Sequence, residues 1–498
     1  MSCSNALIQI VAVGAQDAAL INNPNITFWR FRFMRYTNFA LEAVEQQWSS
    51  GGRSLNEKVS LRLNRNGDLV YYMYVKVNLP GLVNIVQADG CYKGFEIVNS
   101  EDEVCVIGGS GDAVAANDGC NGATQVPRYT NAVGQAAIAE ASVSVGGQTL
   151  DTLYSDYLYM WEELSGKPGK QLGEMIGKAK TKSLAEYWSK FQRTLYVPLP
   201  FFFTMTSGTV LPLVSLQFHD VKINVTFNSL EHIIVNYNAC FDGTPSKTSV
   251  RAAKQQGRLA PITKNSSLPA VQSSDITSSL EVTYVYLDTD ERTKFAEGAF
   301  EQLIAQSQRL VTSLTSAKQQ RVRLDFNHCL IELIWAVRKC TATTEKSHFD
   351  YSGVTEAVTG GNTDPVEFIT LKLNNQNRFC KTEGRYFRLV QPYQHHTNVP
   401  ESYVYCYSFS LRPEEHNPSG TLNFSRIDNA SLHLTLNPSS QYKDPTPGNG
   451  TVTRHWVGPS DAAFSTNKLE EDVTLSIYAI SYNILRIVSG MGGLAYSN

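Results

Sequence analysis

What most constrains this chain is a succession of short segments in which apolar and polar residues alternate, each closed by turn-forming residues. The alternation runs through 59–63, 69–77, 141–145, 213–227, 280–287, 322–326, 368–373, 403–411 and 473–484. A period of two puts every second side chain on one face, so each segment reads as a half-buried strand, and many such strands between turns predict a sandwich or barrel. Helical periodicity is confined to a few places. Leu153, Tyr157, Met160, Trp161 and Leu164 can share one helix face within 151–190, residues 185–191 offer a second short helix, and a third candidate follows Asp290. With 498 residues the chain is too long for one ordinary core, and two domains are expected.

An internal repeat supports that count. Val143-Ser-Val145-Gly-Gly-Gln148 is echoed by Leu371-Lys-Leu373-Asn-Asn-Gln376, each a strand entering a tight turn. Ser207-Gly-Thr209, leading to the strand that ends Val225-Thr-Phe227, is echoed by Ser419-Gly-Thr421, leading to Leu434-Thr-Leu436. Two matches in the same order predict two β domains of one plan, a duplicated jelly roll. Long loops at 80–130, 228–275, 340–364 and 437–467 interrupt the strands, and the second of these, near the midpoint, is the expected boundary.

The charge balance excludes one class of partner. The chain has 43 basic and 46 acidic residues, a net charge of -3, and no cationic run that would grip a phosphate backbone. Nine cysteines, scattered and without a Cys-x-x-Cys pair, read as reduced thiols. No basic-then-apolar leader opens the sequence and no stretch reaches transmembrane length. Six Asn-x-Ser/Thr sequons, at Asn25, Asn224, Asn265, Asn423, Asn429 and Asn449, read as chance matches in a chain rich in those residues.

The motifs that invite chemistry fall short of it. The segment from Gly173 to Ala179 lacks the spacing and the Ser/Thr of a phosphate loop and reads as a solvated linker; the Gly108-Gly-Ser-Gly111 cluster lacks a nucleophile elbow's spacing. His395 and His396 would point to opposite faces of an extended segment, so they read as a polar surface corner. Glu414-Glu415-His416 reads as an exposed loop, and Asp288-Thr-Asp290-Glu291 as the cap of a following helix. Phe201-Phe-Phe203 is either a buried strand or an exposed assembly surface. No catalytic, metal or cofactor residue is predicted. In the turn and strand of 418–436, Arg426 and Asp428 are expected to fix a structural corner by pairing or by hydrogen bonds to backbone.

An ordered series of motifs across the chain resembles the major capsid proteins of nucleocytoplasmic large DNA viruses, as in chloroviruses, iridoviruses and marseilleviruses. It includes Gly14-Ala-Gln-Asp17, Asn23-Pro-Asn-Ile-Thr-Phe28, Arg35-Tyr-Thr-Asn-Phe-Ala40, Arg65-Asn-Gly-Asp-Leu69, Tyr196-Val-Pro-Leu199, Leu211-Pro-Leu213 and Leu216-Gln-Phe-His-Asp-Val-Lys222. It continues with Leu287-Asp-Thr-Asp-Glu-Arg292, Val390-Gln-Pro-Tyr393, the 418–436 run, Tyr482-Asn-Ile-Leu-Arg486 and Ser489-Gly-Met-Gly-Gly-Leu-Ala-Tyr496. The resemblance implies an all-β chain of two consecutive eight-stranded jelly rolls with a few short helices and long loops. The expected parts are an N-terminal arm at 1–25, a first roll at 26–230, a linker at 231–279, a second roll at 280–488 and a tail at 489–498. A stretch around 90–123, holding three of the nine cysteines, departs from the family pattern as an insertion.

The implied function is a non-enzymatic shell subunit that needs no cofactor. Three copies would form a pseudo-hexagonal capsomer that tiles an icosahedral shell in the virion, assembled in the host cytoplasm. Its expected partners are its own homotrimer, neighbouring capsomers, minor capsid proteins and, indirectly, an inner membrane, with no direct nucleic acid. The second roll's loops and the insertion would form an outward crown, with the arm beneath the capsomer. Two alternatives remain: a transient scaffold like that of poxviruses, and a carbohydrate-binding jelly roll, which would need a cleft of convergent carboxylates or exposed aromatics.

Overall fold

The computed structural model describes residues 14–24, 28–29, 35–49, 55–82, 92–97, 104–108, 128–170, 172–189, 191–235, 276–314, 319–339, 346–352, 364–436 and 473–496. They fall into two units, Met1–Phe39 and Ala40–Asn498. The smaller unit carries the helix Ala15–Ile21, whose first turn is closed by Asp17, with the Gly14 N–H donating to its Oδ2 at 2.8 Å. Residues 1–13 and 25–27 of the expected arm and first roll, and most of the 90–123 insertion and the 231–279 linker, lie outside the described residues.

The larger unit holds two sandwiches. The first is built from β1 (Phe39–Gln46), β2 (Lys58–Arg62), β3 (Leu69–Leu79), β7 (Ile138–Val145), β8 (Gln148–Tyr154), β9 (Arg193–Pro198), β10 (Leu211–Pro212), β11 (Val221–Phe227) and β13 (Thr277–Leu287), while β4 (Tyr92–Ile97) pairs only with β5 (Val104–Gly108) and β6 (Arg128–Tyr129) only with β12 (Ile234–Val235), as separate two-stranded sheets. The second uses β14 (Phe300–Leu314), β15 (Gln319–Arg323), β16 (Cys329–Lys339), β17 (Val366–Leu373), β18 (Gln376–Glu383), β19 (Val404–Ser408), β20 (Leu422–Asn423), β21 (Ala430–Leu436), β22 (Val473–Val488) and β23 (Met491–Leu494).

Strand order makes the duplication explicit. The first roll pairs β1-β13-β3, with β9 also on β3, and packs that sheet on β2-β11-β7-β8; the second pairs β14-β22-β16-β19 and packs it on β15-β21-β17-β18. Matched in order, β1, β2, β3, β7, β8, β9, β11 and β13 correspond to β14, β15, β16, β17, β18, β19, β21 and β22, the eight strands of a jelly roll twice over. The inner faces follow the alternation read from sequence. On β11, Val221, Ile223, Val225 and Phe227 are buried, and on β21 Leu432, Leu434 and Leu436 are buried. In the second core Trp335 stacks on Tyr405, ring centroids 6.1 Å apart.

The repeated turns behave as their residues require. Gly146 and Gly147 have φ of 57° and 89°, and Asn374 and Asn375 have 49° and 64°. Val145 pairs with Gln148 and Leu373 with Gln376, so both are two-residue hairpins with positive φ at both central positions. Only the first needs glycine for space as well, because a Cβ on Gly146 would sit 2.4 Å from His219 Nδ1.

Three expectations change. The second roll does not begin at 280: Thr277–Leu287 is the closing strand of the first roll, with Leu280 paired to Val75, and the crossover is the helix Thr289–Glu297. Asp288 caps that helix as expected, its Oδ1 accepting from Thr289 N at 2.8 Å. Residues 491–494 are no tail but a strand hydrogen-bonded to β22, reached through the positive φ of Ser489 and Gly490. Phe201, Phe202 and Phe203 are buried, yet on a helical turn, Phe202–Met205; Pro198 and Pro200 cannot donate to a ladder, so the strand stops at Pro198.

Candidate functional site

Among the described residues no group of three or more His, Cys, Asp or Glu could hold a metal ion, and no helix is long and apolar enough to cross a membrane. The motifs that invited chemistry act as ties. His396 is not at a surface corner: its side chain is fully buried, with Nε2 2.9 Å from Glu332 Oε2 and Nδ1 3.1 Å from Glu414 Oε1. The Glu332 contact is an ion contact off the hydrogen-bond line. Burial pushes the imidazole pKa down, but the Glu332 charge and hydrogen bonds with Cys406 and Glu414 outweigh it and hold it up to about 12. Glu414 likewise leaves the exposed-loop reading, accepting from the backbone N–H of Thr397 at 3.0 Å and from its hydroxyl. Spacing cannot reveal this, because Glu332 comes from a strand remote in sequence.

The richest polar arrangement lies where the two rolls meet. The β8 edge of the first roll is covered by β14 of the second. Gln306 Nε2 donates to Leu150 O, Ser307 N donates to Asp151 Oδ1 at 3.1 Å, and the single Ser307 hydroxyl proton is shared between Thr152 O at 2.8 Å and Asp151 Oδ1 at 3.1 Å. Asp151 is buried, and burial pushes its carboxyl up to about 6 against those hydrogen bonds. The helix Ser155–Ser165 continues the seam: Asp156 pairs with Arg338 at 3.3 Å and accepts from Ser476, while Tyr159 stacks on Phe349 with centroids 4.5 Å apart.

At the far end of that helix, Glu163 Oε2 accepts from the N–H of Glu401 and Ser402, and Asn398 N donates to Leu164 O. Lys178 completes the knot, bonded to Glu163 and lying over the Tyr159 ring. The segment from Gly173 is therefore a tied turn and not a solvated linker. A cleft of about 60 Å³ opens along the seam, lined by Asp151, Trp161, Phe202, Gln306, Glu414 and Tyr482 among others.

The second roll has the same helix in the same place. Val143 faces Asp151 as Leu371 faces Phe379, and Glu140 faces Tyr154 as Phe368 faces Glu383. Counted from those strand ends, Tyr157, Leu158, Met160 and Leu164 correspond to Tyr386, Phe387, Leu389 and Tyr393. Leu158 and Phe387 are both buried, as anchors to their own rolls. The outward positions differ: Leu164 is 0 % exposed and Tyr393 80 %, Met160 0 % and Leu389 40 %. This second segment is wound partly as a π-helix, Tyr386–Val390, and runs on as the helix Gln391–His395. The edge strand β18 beside it is exposed along most of its length.

Among the described residues, Arg426 and Asp428 are not what ties their corner. Both are exposed, and among the described residues neither side chain makes a hydrogen bond or ion pair. Neighbours hold the corner instead: Phe424 is buried and its N–H donates to His328 O at 2.9 Å, Ser425 Oγ accepts from His328 N at 2.8 Å, and Asn429 N donates to Asn374 Oδ1 at 3.1 Å. A flexible charged side chain was the conspicuous letter, but short Asn and Ser side chains reach backbone groups at lower entropy.

Comparison with known proteins agrees with this arrangement. The family described as Major capsid protein N-terminus matches 27–288, and the one described as Large eukaryotic DNA virus major capsid protein matches 291–493, so the break between them falls at the crossover helix. The chain is 32% identical to the major capsid protein of Paramecium bursaria Chlorella virus 1, covering 99% of this chain and 100% of that protein. It is 30% identical to the major capsid protein of Phaeocystis pouchetii virus, over 99% and 100% of the two chains. A chain of the quasi-atomic PBCV-1 virus capsid superposes with a TM-score of 0.66 at 28% identity, over 95% of this chain and all of that one. The Faustovirus major capsid protein shares the fold alone, at 12% identity and a TM-score of 0.64 over 97% and 96%. With two jelly rolls of one topology and matches spanning both, the chain belongs to the major capsid proteins of large eukaryotic DNA viruses, as a structural subunit of the virion capsid.

Proposed function

We propose that three copies associate as a homotrimeric capsomer and that these capsomers tile an icosahedral shell. The observation that carries this reading is the duplicated roll: one chain supplies two lobes of one plan, so three chains supply six and present a near-hexagonal outline. Neighbouring capsomers and minor capsid proteins are then the partners, with an inner membrane reached only through those proteins. The net charge of -3 over 498 residues suits such contacts better than direct nucleic acid binding. Assembly in the host cytoplasm and the absence of catalysis complete the reading.

Light scattering on the purified chain tests it first, with a mass three times 55.2 kDa expected and a stable monomer at assembly concentration contradicting it. Mass spectrometry of mature particles tests the shell role. High copy number is expected, and presence only in immature particles would point to a scaffold instead. Deleting residues 1–23 is expected to leave trimer yield unchanged and abolish shell assembly; normal shells would remove the role for the arm.

A further inference from the structure

The seam inside the chain leaves two of its counterparts uncovered. Within one subunit β14, the first strand of the second roll, covers β8, and the helix after β8 is buried by second-roll residues. The corresponding first strand of the first roll is β1, and the corresponding edge and helix of the second roll are β18 and 384–395. Both are exposed. On β1, Ala40, Leu41, Glu42, Ala43 and Glu45 are open to solvent, and on the other face Leu389, Val390 and Tyr393 present apolar surface.

The charges on these two faces are opposite. Strand β1 carries Glu42 and Glu45 and no cation. Lys76 of β3, one strand beyond β13, holds Glu45 at 2.7 Å, so Glu42, which accepts from the Tyr286 hydroxyl, remains as the anion without a cationic partner among the described residues. The β18 face carries Arg378, Lys381, Arg385 and Arg388 against Glu383 and Asp364. Arg385 and Arg388 share the single carboxylate of Asp364, at 3.2 and 2.8 Å, and among the described residues Arg378 has no ion-pair partner. Arg378 stands where Leu150 stands in the first roll, the residue that receives Gln306 across the internal seam.

We propose that the face formed by β18 and 384–395 docks on the β1 edge of a second copy, repeating between subunits the seam that joins the two rolls within one. This rests on the trimer reading and gives it an address. Each chain has one donor face and one acceptor edge left over, so the contact is head-to-tail, and three repeats of a suitable rotation close a ring with no face left open. Opposite charge on the two faces also disfavours pairing of like with like.

The test is light scattering and thermal melting of full-length variants. Leu389→Asp combined with Tyr393→Asp alters only partly or fully exposed side chains; it is expected to reduce the mass from trimer to monomer with an unchanged circular dichroism spectrum. Arg378→Glu and Glu42→Lys are each expected to weaken the trimer at least tenfold at low salt, and the two together in one chain to restore most of that loss. A wild-type chain that is monomeric overturns the trimer reading itself. A wild-type trimer whose Leu389→Asp/Tyr393→Asp variant keeps the same mass and melting temperature leaves that reading standing and overturns this choice of faces, as does failure of the charge swap to restore association.

Discussion

The helix Ser155–Ser165 and the segment 384–395 follow equivalent strands of equivalent rolls, yet one is buried and the other presents Leu389, Val390 and Tyr393 to solvent. The positions that anchor each helix to its own roll, Leu158 and Phe387, stay apolar and covered. The outward positions have diverged with their surroundings. Asp156, paired to Arg338 inside the seam, is matched by the exposed Arg385, and Leu164 by Tyr393. A duplicated fold thus preserves what holds each roll together, while the surface between rolls is free to acquire the chemistry of its own neighbour. An aromatic side chain with a polar tip suits a face that is wet in the monomer and dry in an assembly.

The largest effect is expected at His396, the residue that pins the end of the exposed helix and begins the segment reaching Glu163 of the buried one. His396→Ala leaves Glu332 buried without its counter-charge and should cost about 3–5 kcal/mol of subunit stability in denaturant unfolding. Because the folded pKa is raised above the usual 6.5, this stabilisation is full below about pH 6.5 and is lost progressively as pH rises toward about 12. A loss under 1 kcal/mol at pH 6 would mean the cluster is not an ion network.

Leu164→Ala opens a hole in the internal seam and should cost about 2–5 kcal/mol. Tyr393→Ala, at the matching place, should change subunit stability by no more than about 0.5 kcal/mol while weakening association. Equal effects on unfolding of the monomer would erase the distinction between the two helices.

Asp151 makes the internal seam sensitive to pH. Its folded pKa of about 6 lies above the ordinary 3.8, so the stability linked to its proton is present below the unfolded value and is lost as pH rises through about 6. Asp151→Asn cannot ionise and keeps the acceptor for Ser307. Its melting temperature should match the wild type near pH 4 and exceed it at pH 7.5, by the equivalent of up to about 3 kcal/mol. A variant less stable than wild type at pH 7.5 would show that the charge itself holds the seam. The smallest effect is expected at the corner: Arg426→Ala should shift subunit stability by less than about 0.5 kcal/mol, since among the described residues its side chain has no partner, and a loss above 1 kcal/mol would contradict that.

Much of the fold was legible because its signals are local. The Gly-Gly and Asn-Asn turns fix two-residue hairpins, the alternation on β11 and β21 fixes their faces, and Asp288 marks a helix start. The boundary at 280 failed because a closing strand such as Thr277–Leu287 looks no different from an opening one; only its pairing with β3 assigns it to a roll. The seam was invisible for the same reason. Asp151 and Ser307 are 156 positions apart, and neither carries a motif. Arg426 is conspicuous in the sequence by its charge, whereas the corner is held by Phe424, Ser425 and Asn429, which look ordinary there.

On the proposed contact, the second roll's exposed edge and helix are the unmatched half of a seam already present within the chain. Hydrogen–deuterium exchange, compared between the wild-type oligomer and its Leu389→Asp/Tyr393→Asp variant, measures this most directly. Slower amide exchange is expected in the oligomer over 376–395 and 39–46, with 148–165 equally protected in both. Unchanged exchange in the first two segments, with oligomer-specific protection elsewhere, would contradict it.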